Sequence, residues 1–139
     1  MLKKIVSISG LVVLSVLLTG ALTAAAVPAP TFTLVTELPA TMNVGEEYTV
    51  VVRVDSPGIP FMSVHANPSF AYPGKGVVAV QGGDRATAGT SAVLEITYRA
   101  KSSTVAMTGG YAPVFFVVGV RYGGGVVVVQ RYEFNVKVP

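Results

Sequence analysis

The sequence contains no cysteine, no tryptophan, one histidine and only seven acidic residues. Without cysteine there is no disulfide, no thiolate nucleophile, no lipid-modified cysteine and no Cys-based zinc site. A Ser-His-Asp mechanism would have to use His65, which sits between Val64 and Ala66 in a strand-patterned segment far from any G-x-S-x-G motif. It reads better as a surface or hydrogen-bonded strand residue than as a catalytic base. The acids are scattered, and the adjacent Glu46 and Glu47 point to opposite faces of an extended chain. That leaves no ready carboxylate pair for glycoside cleavage. A D-x-D calcium loop is missing. Gly82-Gly83-Asp84-Arg85 lacks the Lys-Ser/Thr ending of a phosphate loop and reads as a β-turn. Asn67-Pro68-Ser69 is a glycosylation sequon blocked by its proline. The expectation is a protein that is not an enzyme and needs no cofactor or metal.

What is present begins with an address. Lys3 and Lys4 precede an uncharged apolar run over 5–22, which exits through Ala24-Ala25-Ala26. This is the pattern of a secretory signal peptide, with Ala24 and Ala26 as the small exit residues and Val27 as the first mature residue. Residues 5–27 are uncharged and at about 1.5 Å per residue could span a bilayer, so a retained membrane anchor is the alternative. Ser7, Ser9, Gly10, Ser15, Thr19 and Gly20 dilute the run, and Pro28 and Pro30 end any helix at once; both favour cleavage. A pilin-like subunit retaining its helix is a third reading. Against it, Lys4 runs straight into Ile5 with no small residue between. The expected division is therefore a signal peptide at 1–26 and one domain at 27–139. Location would be extracellular or at the cell surface, with the periplasm compatible and a membrane involved only if the helix is kept. The net charge of +3 includes Lys3 and Lys4. Eight basic against seven acidic residues then remain, which gives no electrostatic case for nucleic acid.

From Thr31 onward the apolar period is two, not 3.6. Seven strands are predicted, at 31–36, 46–55, 61–66, 77–81, 91–100, 113–122 and 126–138, separated by Gly/Pro/Asn/Asp clusters. A Pro/Gly-rich loop is expected over 67–76. The last two strands form a hairpin through Gly123-Gly124-Gly125. This pattern implies an all-β fold, an antiparallel immunoglobulin-like β-sandwich of about seven strands behind the signal helix. A small closed barrel is the competing architecture. The stretch Leu38-Pro39…Val44-Gly45-Glu46-x-Tyr48-x-Val50-x-Val52 resembles the opening of prokaryotic immunoglobulin-like surface and secreted modules, where a Pro/Gly turn feeds the second strand. The resemblance implies the sandwich and carries no functional residues. The Cys…Trp…Cys signature of antibody domains is missing.

The final hairpin departs from alternation. Val114 to Val118 and Val126 to Val129 are apolar on both faces, whereas one face of a two-layer sandwich normally meets water. Phe115, Val117, Val127 and Val129 (or Phe116 and Val118 in the opposite register) thus form a candidate assembly surface. The competing explanation is cover by the 67–76 loop, or simply a valine-rich exterior. Thr31, Phe32, Thr33, Leu34 and Val35 form a candidate arm that could add a strand to a neighbour's sheet, or else the first strand of its own domain. Phe70 and Tyr72 are the candidate ligand loop of an alternative, a soluble carbohydrate- or peptide-binding adhesion module. The leading expectation is an exported, self-associating structural or interaction module of a β-rich filament or surface layer. Its partner would be itself or another surface protein, with a glycan under the alternative.

Overall fold

Branched and aromatic residues alternating with polar ones set the strands, and glycine marks where the chain reverses. The computed structural model describes residues 28–70, 75–81 and 83–139, without the side chain of Phe70. The expected signal peptide and cleavage site, with Ala24, Ala26 and Val27, lie outside the described residues, as do residues 71–74, among them Tyr72. Among the described residues no helix is long and apolar enough to cross a membrane.

Eight strands form among the described residues: β1 Thr31–Leu34, β2 Glu47–Asp55, β3 Phe61–Phe70, β4 Val77–Ala79, β5 Asp84–Gly89, β6 Ser91–Ala100, β7 Ala112–Arg121 and β8 Val127–Val136. They make two four-stranded sheets, ordered β1-β2-β6-β4 (sheet one) and β5-β3-β7-β8 (sheet two). All ladder pairs are antiparallel. This is a sandwich and not a closed barrel. Sheet one has the A-B-E-D order of immunoglobulin domains and β3-β7-β8 the C-F-G order, with β5 beside the C-position strand. One departure is topological. The chain visits β4 in sheet one before returning to β5 in sheet two, so 77–100 crosses between layers twice, the second time through Thr90 alone.

Two sequence expectations need correction. There are eight strands among the described residues, not seven: Asp84–Gly89, expected to be turn and connection, pairs with β3. The third strand also continues through Asn67, Pro68, Ser69 and Phe70, where the sequence pattern predicts a loop. Proline is tolerated there for a specific reason. The β3–β5 ladder ends at Ala66↔Asp84, while β3 pairs with β7 as far as Phe70↔Val114. By alternation, the missing N–H of Pro68 falls on the side that β5 has already left.

The core lies between the sheets. Val50, Val52 and Val54 of β2 and Leu94, Ile96 and Tyr98 of β6 face Val64, Val114, Phe116, Val118 and Val120. Phe116 stacks on Tyr132 with ring centroids 4.8 Å apart and meets the edge of Phe134 at 6.4 Å. Tyr98 of sheet one contacts the same Phe134 edge-on at 5.6 Å, linking the two layers through rings. Burial pushes the Tyr132 phenol up to about 12 and raises that of Tyr98 as well. Arg131, Glu133, Asn135 and Lys137 point outward while Tyr132, Phe134, Val136 and Val138 fill the core, in the alternation expected for this strand. In the closing turn Gly124 and Gly125 adopt φ of 76° and 81°, a region closed to valine.

Polar tethers hold the ends. Buried Thr104 accepts the Val138 N–H at 2.9 Å and donates to the Gly110 carbonyl at 2.7 Å. Thr104→Val keeps the volume but strands the Val138 amide, so a loss of about 1–3 kcal/mol is expected in urea unfolding. A surface cluster gives a pH effect. Asp55 accepts from Ser91 Oγ at 2.9 Å and from Arg53 Nε at 2.9 Å. Ser91 chiefly, then Arg53, against a desolvation effect of opposite sign, holds its carboxyl below the ordinary 3.8. A folded value below the unfolded one means this contribution is fully present above the unfolded value and is lost as pH falls through the folded one. NMR titration is expected to place the Asp55 midpoint below 3.8, and Ser91→Ala to raise it.

Candidate interaction surface

The hairpin β7–β8 decides which residues meet solvent on sheet two. Alternation sends Phe116, Val118 and Val128 into the core and turns Phe115, Val117, Val127 and Val129 outward, each half-buried. The ladder sets Phe115 opposite Glu133, Val117 opposite Arg131, Gly119 opposite Val129 and Arg121 opposite Val127. The four apolar side chains therefore run as a diagonal strip, two on β7 and two on β8. At one end the Arg131 guanidinium lies 4.4 Å from the Phe115 ring centroid and bonds Glu133 at 3.1 Å. That cation–π contact shields part of the ring. The strip is narrow and lies beside the sheet's margin.

The margin itself is the more unusual feature. Sheet edges in stable monomers are usually short, charged or covered. Here β1, β4 and β5 are edges of four, three and six residues, but β8 is an edge of ten. The Tyr122 N–H donates to the Val126 carbonyl at 2.9 Å, which fixes the parity of the ladder. Even-numbered residues of β8 bond β7, and Val127, Val129, Arg131, Glu133 and Asn135 direct their backbone groups away from it. Lys137, of the same parity, shows what cover looks like: its N–H donates to Ala40 O at 2.9 Å and its carbonyl accepts from Met42 N at 3.0 Å. That cover stops at Lys137. Among the described residues, only the Gln130 side chain reaches further along the edge, Nε2 donating to Arg131 O at 3.2 Å.

The other sequence candidates fall elsewhere. Thr31, Phe32, Thr33 and Leu34 are β1, paired with Asp55, Val54, Arg53 and Val52 of their own chain, and Val35 N donates to Val51 O at 2.9 Å. The arm thus closes its own sheet in this structure, and adding it to a neighbour requires β1 to leave β2. Phe70 is the last residue of β3, opposite Val114; Tyr72 lies outside the described residues. His65 is on the outer face of β3 opposite Gly119, and among the described residues no carboxylate hydrogen-bonds it. The edge position of β8 is what sequence reasoning missed. Strand order, not composition, determines it.

No family model matches the chain, and no curated protein matches it in sequence, so nothing supports the narrower resemblance to prokaryotic surface modules. In backbone it is similar to an ASH / PapD-like domain of human CEP192 (PapD-like domain 7). That likeness has 8% identity over 87% of this chain and 94% of that one, with a TM-score of 0.48. It is also similar to the sporulation control protein Spo0M of Bacillus subtilis, at 13% identity over 82% of this chain and 50% of that one, with a TM-score of 0.37. The fold assignment rests on the strand order: an all-β, immunoglobulin-like sandwich of two antiparallel sheets.

Proposed function

We propose that this protein is an exported, non-enzymatic interaction module that associates with copies of itself by pairing along the open edge of β8. The observation that carries the reading is the ten-residue edge strand, whose outward backbone groups are uncovered among the described residues, beside the strip Phe115, Val117, Val127 and Val129. Unpaired strand backbone is a template for another strand, and adjacent apolar side chains add burial to the hydrogen bonds. Charge supports a self-complementary pairing. Two antiparallel β8 strands centred on Tyr132 set Arg131 of each copy opposite Glu133 of the other, and Val129 opposite Asn135. Such a contact is isologous and gives a two-fold dimer; pairing between β8 and a different edge propagates into a filament. Export follows from the 1–26 leader pattern.

A second reading uses the same observation. An extended peptide of another surface protein can occupy the edge, because backbone pairing is tolerant of sequence. Light scattering after size exclusion, over a wide concentration range, separates the two. Concentration-dependent growth beyond one chain supports self-association. A strict monomer at every concentration overturns it and leaves the peptide reading.

A further inference from the structure

Across sheet two from the apolar strip, beside β5, the outer face is polar and hollowed. Ser63, His65 and Asn67 of β3, Arg85 of β5 and Arg121 of β7 line an open cleft of about 360 Å³. The ladders account for the grouping: Ser63 stands between Thr87 and Arg121, and His65 between Arg85 and Gly119. Gly119 interrupts a valine-rich strand, and its missing side chain makes room. A Cβ there would lie 2.9 Å from His65 Nε2, so the imidazole rests directly over the β7 backbone.

The charges of this cleft are unbalanced. Arg53, Arg99 and Arg131 each bond a carboxylate, those of Asp55, Glu47 and Glu133 respectively. Among the described residues, Arg85 and Arg121 make no ion pair, and both line the cleft. Asp84 also lines the cleft, but its carboxylate is already committed. Its Oδ1 accepts from Arg85 N and its Oδ2 from Glu95 N, both at 2.8 Å. The second bond caps β6 beyond the end of β4, so this carboxylate serves the backbone. Two guanidinium groups that bond no carboxylate among the described residues thus share a concave site with an imidazole, a hydroxyl and a carboxamide, all able to donate hydrogen bonds.

We propose that this cleft binds an oxyanion group, a phosphate, sulfate or carboxylate, held by Arg85 and Arg121 with Ser63, His65 and Asn67 as further donors. The site is independent of the β8 edge and goes beyond the assembly reading. His65 is the only histidine, so its imidazole gives a single reporter set in the NMR spectrum. Inorganic phosphate, sulfate and acetate are titrated separately at constant ionic strength, with chloride as the comparison. Saturable shifts of the His65 signals are expected for at least one oxyanion, and the preferred one names the ligand chemistry. Arg85→Gln and Arg121→Gln are each expected to weaken binding about tenfold, the worth of one charge-assisted hydrogen bond. Gly119→Ala, which places a methyl where the imidazole lies, is expected to abolish the response with the circular dichroism of the sheets unchanged. Shifts no different from those with chloride would overturn the site, as would saturable binding retained at full strength by the Arg85→Gln/Arg121→Gln double variant. A monomeric protein that still binds phosphate would refute the assembly and leave this site standing.

Discussion

Phe116→Ala is expected to destabilise the domain by about 3–5 kcal/mol, the range for emptying a buried aromatic site. Phe116 is fully buried, stacked on Tyr132 and in edge contact with Phe134, which itself meets Tyr98 of the opposite sheet. Removing one ring therefore loosens a chain of rings that joins the layers, and the surrounding strands are too constrained by their ladders to collapse into the gap. With no disulfide available to limit the unfolded state, packing must supply the stability. A loss of this size is a large share of a small domain's total, about 5–15 kcal/mol. By contrast Phe115→Ala, one residue along but facing outward under Arg131, is expected to cost about 1 kcal/mol or less, the worth of an exposed cation–π contact and a little area. Urea unfolding of the two variants measures the difference directly. Equal losses would mean that the assigned inside and outside of β7 are wrong.

Val129→Pro is expected to weaken self-association about a hundredfold while the single chain stays folded, and Val128→Pro to unfold it. The contrast comes from ladder parity. The Val129 N–H points to the open edge, so proline there removes a donor that only an incoming strand would use. The Val128 N–H belongs to the β7–β8 ladder, and its side chain is buried. Losing one edge bond from each copy in a short strand–strand contact is expected to weaken association by about two orders of magnitude, at roughly 1–1.5 kcal/mol for each bond. Val129→Lys tests the same point without altering the backbone: a charge on the strip opposes burial against another copy. Association unaffected by both variants would place any contact elsewhere on the molecule.

How much of this was legible beforehand depended on how long and clean the alternation was. Ser91–Ala100 alternates without a break, and its bounds were predicted as observed. β5 was missed because Asp84, Arg85, Ala86, Thr87, Ala88 and Gly89 present no large apolar face; partnership with β3, not intrinsic preference, makes it a strand. The end of β3 was missed because Pro68 reads as a breaker until the early end of β5 is known. The apolar strip was visible in the valine runs, with its register open between Phe115/Val117 and Phe116/Val118. The ladder chose the first pair for the outside. Neither the exposed edge of β8 nor the cleft around His65 was visible at all. Each is assembled from strands distant in sequence, and Gly119 gains meaning only when His65 is known to lie opposite.

Residue-resolved amide exchange, recorded in dilute and in concentrated protein, tests the β8 pairing most directly. In the dilute sample the amides of Val128, Gln130, Tyr132 and Phe134 are expected to be protected by β7, and those of Val129, Arg131, Glu133 and Asn135 to exchange freely. On concentration the second set should become protected while the first is unchanged. Odd-numbered amides that stay unprotected in concentrated protein, or are already protected in the dilute single chain, would contradict it.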